Sequence, residues 1–136
     1  MITAVDTNVL LDVFLDDPGF GSASADLLRR CIREGVVVAN EVVWSECAAV
    51  FPDDERLHTA MTALDVQFVA TTVEAAVKAG HVWRLYRQRG GPRERMVADF
   101  LIGAHALVQS DRLLSRDRGF YASYFEELTV LDPSRP

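Results

Sequence analysis

Four acidic residues stand where an ordinary surface acid would not. Asp6 closes the apolar run Ile2-Thr3-Ala4-Val5 and lies directly before a segment with helical spacing. A carboxylate at a helix N-terminus is favoured in its ionised form, and the same placement suits a simple cap. Glu46 lies one helical turn from Val42, Val43, Ala49 and Val50, which puts it on the apolar face, whereas Glu41 falls about 140° round the helix. A buried salt bridge is the structural alternative there. Asp99 interrupts Met96-Val97-Ala98-Asp99-Phe100-Leu101-Ile102, in the most apolar helical stretch of the chain. An unpaired carboxylate in such a setting costs on the order of several kcal/mol or stays protonated, so a metal ion or a basic partner is required. Gly103, one turn later on the same face, either leaves room for a ligand or serves packing. Asp117 comes just past Leu113-Leu114-Ser115, where it and Ser115 can point into one cleft, or where Asp117 is only a turn residue.

Brought together, these carboxylates would form a set of hard oxygen donors without nitrogen or sulfur, which selects Mg²⁺ or Mn²⁺. Such a site suits phosphoryl chemistry, in which the ion activates water and offsets charge developing on a phosphodiester. The histidines add nothing: His105 is six residues from Asp99 and faces elsewhere on the helix, and His58 and His81 stand alone. Asp16, Asp17, Asp53, Asp54, Glu126 and Glu127 lie in polar clusters and read as solvated.

The elements that must position the four acids alternate in type. Short apolar runs at 2–5, 36–38, 67–69, 113–115 and 129–131 predict strands. Helical spacing covers 7–15, 22–34, 41–50, 53–65, 73–89 and 95–109, with Gly35 as a C-terminal cap, Asn40 as an N-cap, and Pro52 and Gly90-Gly91-Pro92 as stops. The helix over 95–109 is apolar on nearly all sides and should be central. Alternation of this kind implies an α/β fold, a mainly parallel sheet covered on both faces, whose sites form beyond the carboxyl ends of the strands.

At 136 residues the chain fits one domain, 1–136, and at 49% apolar it has enough for a core. No apolar run reaches the roughly 18 residues of a membrane span, and the start Met1-Ile2-Thr3 lacks a basic stretch, so a cytoplasmic protein with no membrane association is expected. Cys31 and Cys47 read as reduced core residues. A net charge of -6 gives no global sign of nucleic acid, but 13 of the 14 basic residues are arginine, and Arg84, Arg87, Arg89, Arg93 and Arg95 crowd one stretch whose only acid is Glu94. Guanidinium groups suit phosphate, so these five are candidates to hold a nucleic-acid backbone, against the alternative of a solvated helix end.

The segments around the four acids carry a resemblance. Ala4-Val5-Asp6-Thr7-Asn8-Val9-Leu10-Leu11-Asp12, Trp44-Ser45-Glu46-Cys47, Asp99-Phe100-Leu101-Ile102-Gly103-Ala104-His105-Ala106 and Leu113-Leu114-Ser115-Arg116-Asp117-Arg118-Gly119-Phe120-Tyr121 resemble, in order, the four acidic segments of PIN domains. The resemblance covers essentially the whole chain. It implies a PIN-like three-layer α/β/α sandwich with about five strands and Mg²⁺- or Mn²⁺-dependent cleavage of RNA. It implies Asp6, Glu46, Asp99 and Asp117 as the catalytic acids, with Thr7, Asn8 and Ser115 in support. Asp6, Asp99 and Asp117 match the metal-touching positions, and Glu46 the one that works through a metal-bound water or orients the attacking water. The Arg116-Asp117-Arg118-Gly119-Phe120-Tyr121 segment and the small size are similar to the VapC toxins. That branch implies a homodimer, a cognate VapB-like antitoxin and an RNA substrate, with Arg116 and Arg118 added to the RNA-contact candidates. Many relatives carry a further acid where Gly119 stands, so a second metal would be weakly held or absent. The alternatives are a PIN-fold nuclease in RNA processing and a non-catalytic PIN-like binding module. A phosphoacceptor receiver would need an aspartate pair after the first strand and a lysine near the last strands; here the pair is Asp6-Thr7, and Lys78 lies on a mid-chain helix.

Overall fold

Runs of β-branched and other apolar residues make five strands: β1 (Ile2–Val5), β2 (Val36–Ala39), β3 (Val66–Phe68), β4 (Arg112–Leu114) and β5 (Val130–Leu131). In the computed structural model, which describes residues 1–92, 95 and 97–135, they form one sheet in the order β3-β2-β1-β4-β5. Every neighbouring pair is parallel. Consecutive residues of a strand point to opposite faces, yet Ala4 and Val5, Val37 and Val38, and Leu113 and Leu114 are all buried. Both faces of the sheet are therefore covered, the α/β architecture that the alternating pattern predicts.

The cover is supplied by α1 (Thr7–Phe14), α2 (Gly21–Glu34), α3 (Glu41–Ala48), α4 (Asp54–Ala63), α5 (Val73–Gln88), α6 (Val97–Gln109) and α7 (Arg118–Tyr124). Polar side chains start four of these helices. Asp6, Asn40, Asp53 and Thr72 accept the N–H groups of Thr7, Val43, Arg56 and Ala75. Gly35 ends α2 in extended backbone, where an added Cβ would lie 1.9 Å from the Met1 carbonyl oxygen. The glycine is required there by the close passage of Met1, the residue just before β1. α6 is the central helix: Phe100, Ile102, Gly103, Ala104, His105 and Ala106 are buried around its circumference. Cys31 and Cys47 are free and buried. Among the described residues, no helix is long and apolar enough to cross a membrane.

Three expectations need correction. α7 is not predicted from the sequence. Arg95 lies outside α6 rather than at its start, while Met96 lies outside the described residues. β4 begins at Arg112 and ends at Leu114, which frees Ser115 to leave the sheet edge.

The sheet order places the site. The chain steps outward from β1 through β2 to β3, then crosses back to lay β4 on the other side of β1. Strand order therefore reverses between β1 and β4, and such a switch point opens a crevice beyond the carboxyl ends of the two strands. The pairing of Val5 with Leu114 brings Asp6 and Ser115 out of the sheet side by side.

Gly103 does not leave room for a ligand. A Cβ there would lie 2.6 Å from Cε2 of the buried Phe125 ring, so the position is filled by packing. Gly103→Ala gains about 1 kcal/mol of helix propensity but overpacks the core by roughly 1–3 kcal/mol. A net loss of up to about 2 kcal/mol is expected in urea unfolding, and a variant more stable than the parent would show that the Phe125 ring moves freely.

Candidate active site

Asp6 is the buried centre of the crevice. One oxygen accepts the Thr7 N–H at 2.8 Å, closing the first turn of α1. The other accepts the Ser115 hydroxyl at 2.7 Å and the Tyr121 hydroxyl at 3.0 Å. Asn8 adds a longer contact to the same oxygen, 3.4 Å, and ties the loops together by accepting the Arg116 N–H at 3.1 Å. Burial nevertheless dominates and pushes the Asp6 carboxyl up to about 6, with Asp117 adding a smaller like-charge push. Burial and the adjacent Asp6 hold Tyr121 well above its ordinary range, so the phenol stays protonated and donates.

The other acids approach from separate elements. Asp117 precedes α7, its N–H donating to the Ser115 hydroxyl at 3.0 Å, and its side chain makes no capping bond to the helix. Its carboxylate is taken by the guanidinium of Arg95, through a short Nη1–Oδ2 contact and an Nη2–Oδ1 bond of 3.1 Å. Asp99, half-buried in the first turn of α6, acts electrostatically on both Arg95 and Tyr121. Glu46 is exposed rather than on an inner face: α3 buries Val43 and Cys47, and Glu46 stands at the rim of that stripe. There it accepts the Thr7 hydroxyl at 2.8 Å, which links it through one residue to Asp6. The crevice thus gathers Asp6, Thr7, Asn8, Glu46, Ser115 and Asp117, with Asp99 and Asp117 related through Arg95.

The remaining arginines divide. Arg116 turns away and grips Asp12 with two bonds, 2.7 and 3.0 Å, under the Phe20 ring. Arg84 and Arg118 are exposed. Arg87 lies over Trp83 and Arg89 over Tyr124, at 4.9 and 5.8 Å from the ring centres. Arg93 lies outside the described residues. Tyr121 is the residue that sequence reasoning passes over. Its signal is faint: it stands four residues after Asp117, one turn along a helix whose pattern does not announce it.

The donors fit a hard divalent cation in kind: they are carboxylate and hydroxyl oxygens around a buried acid that ionises reluctantly. Among the described residues no three acid, histidine or cysteine side chains stand close enough to hold a metal as they are arranged. Among the described residues, the positive charge held against an acid of the crevice is that of Arg95.

The raised Asp6 fixes a pH signature. The unfolded carboxyl titrates near 4 and the folded one near 6. The folded state therefore favours the protonated form; this contribution is complete below about 4 and is lost as pH rises through about 6, a swing of about 3 kcal/mol. Asp6→Asn removes the titration and keeps the shape. In EDTA at pH 8 it should unfold at higher urea than the parent, and at pH 4 the advantage should vanish. A variant less stable at pH 8 would contradict the burial argument.

Residues 3–126 match the family model of the PIN domain. No curated protein sequence matches the chain. Among solved structures, the fold is similar to VapBC2 from Rickettsia felis bound to a DNA fragment from their promoter, with TM-score 0.77, 14% identity, and 97% of this chain and 98% of that chain covered. It is similar to VapBC-1 from nontypeable Haemophilus influenzae, with TM-score 0.76, 18% identity, and 99% and 100% covered. It is also similar to FitAcB from Neisseria gonorrhoeae, with TM-score 0.68, 19% identity, and both chains fully covered at 100%. The family match takes in the strands on both sides of the switch point and all four acidic segments, and the chain belongs to the PIN domain family.

Proposed function

We propose that this chain, as a single nuclease domain over 1–136, is a Mg²⁺- or Mn²⁺-dependent endoribonuclease and the toxin of a VapBC-type pair. The observation that carries the reading is the convergence of acids from the β1–α1 junction, α3, α6 and the β4–α7 turn on one crevice at the switch point of a PIN fold. Asp6, Asp99 and Asp117 would hold the ion. When bound, it supplies polarised water and offsets negative charge on a phosphodiester. The chain's own residues do the positioning. Ser115, Tyr121 and the Thr7 N–H fix the Asp6 carboxylate, and the Thr7 hydroxyl aims Glu46 at the mouth of the crevice, where it orients the attacking water.

The similar structures from Rickettsia felis and Haemophilus influenzae are of VapBC, which supports a VapB-like antitoxin as partner; a cytoplasmic setting is part of the same proposal. An acidic crevice suits a basic side chain of that antitoxin. Val73 and Val77, exposed one turn apart on α5, suit a second copy of the chain in a homodimer. The Arg95–Asp117 pair favours the non-catalytic alternative, because it already neutralises an acid of the site, and so does the spacing of the acids, no three of which stand close enough to hold a metal as they are arranged among the described residues.

Cleavage decides between the two. Hydrolysis by water leaves a 5′-phosphate and a 3′-hydroxyl. Purified protein with Mg²⁺ should produce those ends on RNA, lose activity in EDTA, and lose at least 10²-fold in rate on Asp99→Asn, the order expected when an essential electrostatic group is removed. A 2′,3′-cyclic phosphate product, or activity that survives EDTA, would overturn the mechanism.

The arginines of α5's end are proposed to hold the RNA backbone, together with Arg84, Arg93 and Arg118. Arg87 and Arg89 rest on aromatic rings that pre-orient their planes. Replacing both with Gln should weaken binding of single-stranded RNA and reduce the slope of log affinity against log salt by about 1.4, the release of two contacts. An unchanged slope would return them to the solvated surface.

A further inference from the structure

Among the described arginines near the crevice, Arg95 is set apart by holding an acid of the site itself. Its fork takes both oxygens of Asp117, its Cζ lies 4.3 Å from the centre of the Phe120 ring, and Asp99 adds to the field on it. We propose that Arg95 is an exchangeable countercharge. It neutralises Asp117 while no divalent cation is bound, and passes to a substrate phosphate when a cation takes that carboxylate. The inference rests on the metal-dependent nuclease reading above.

A second pair in the same molecule shows what a permanent lock looks like. Arg116 holds Asp12, whose side chain is only 5% exposed and which also accepts the Ser24 hydroxyl at 2.8 Å. The Arg95 and Asp117 side chains are 30% and 31% exposed, so water reaches both partners and the pair can open. Asp117 also stands at the start of α7 without capping it, so its carboxylate is engaged by Arg95 and by no bond of its own helix. A cation bound to Asp117 needs at least one of the oxygens that the guanidinium now occupies, and two positive groups on one carboxylate repel. Occupation by one therefore weakens the other, by the same factor in both directions. The Phe120 ring keeps the displaced guanidinium at the crevice wall, and its planar fork matches the paired oxygens of a phosphodiester.

The test is calorimetric titration of MnCl₂ into the full chain without RNA. Arg95→Met keeps the stem against Phe120 and removes the fork; it should bind Mn²⁺ about two- to fivefold more tightly than the parent, the range for releasing a partly exposed pair. In an Asp117→Asn background the same change should alter affinity less than about twofold. Arg95→Lys keeps the charge, loses the fork and should fall between, which preserves the test if the methionine variant folds poorly. At saturating Mn²⁺, Arg95→Met should cleave RNA at least about tenfold more slowly although it holds the ion better, a divergence that a purely structural residue would not give. Unchanged or weaker Mn²⁺ affinity in Arg95→Met overturns the countercharge. Tighter Mn²⁺ with undiminished cleavage overturns the transfer to phosphate. A parent protein that binds no Mn²⁺ and cleaves no RNA overturns the nuclease reading and this inference together, whereas failure confined to Arg95→Met leaves that reading standing.

Discussion

The constraint on which the site depends is the burial of an acid that the fold does not neutralise. Asp6 is 7% exposed, and its carboxylate receives two hydroxyls and a backbone N–H. Hydrogen bonds of this kind favour ionisation, yet desolvation outweighs them and the carboxyl rises to about 6. The donors come from sequence positions more than a hundred residues away, Ser115 and Tyr121. The parallel pairing of β1 with β4 is what delivers them, since it sets Val5 against Leu114 and lets both strands end at one level. α7 then turns Tyr121 back over the crevice.

Much of this arrangement was legible in the sequence because it follows from periodicity. Apolar runs of strand length between helical stretches require parallel strands with covering helices, and an acid directly after such a run must stand at the sheet's carboxyl edge. Asp6 and Asp117 are of that kind. What was hidden depends on contacts between segments. α7 is seven residues long and buries Phe120 and Tyr121 in succession, a pattern without helical spacing that reads as loop. Glu46 occupies an apolar turn by spacing but stands at its margin, where the short α3 meets the open crevice. Gly103 looks like space until Phe125, twenty-two residues later, is known to fill it. Arg95 reads by spacing as the first residue of the helix over 95–109, and only the fold, which leaves it outside α6, carries it to Asp117.

The arginine-rich stretch also divides by partner rather than by sequence. Arg87 and Arg89 settle on the faces of Trp83 and Tyr124, where the ring quadrupole attracts the charge and keeps the plane oriented without consuming its N–H donors. Arg95 spends its donors on a carboxylate. Five residues that look equivalent in the sequence therefore include two kinds of cation, one kept available at the surface and one held in reserve within the site.

Two buried acids of this one fold make the decisive contrast. Asp12, 4% exposed, is closed off as a structural acid should be: an arginine fork supplies the opposite charge and a serine hydroxyl fills a remaining lone pair. The same chain thus contains a working solution for a carboxylate that has only to be buried. At Asp6 that solution is not used. Among the described residues its bonds come from hydroxyls, a backbone N–H and the Asn8 amide, so its hydrogen-bonding capacity is met while its charge is not. A packing role is better served by the first arrangement, because an uncompensated buried charge weakens the folded state for no structural return. The second arrangement has a use where positive charge is to arrive from outside, and the stability forgone at Asp6 is then recovered when it does.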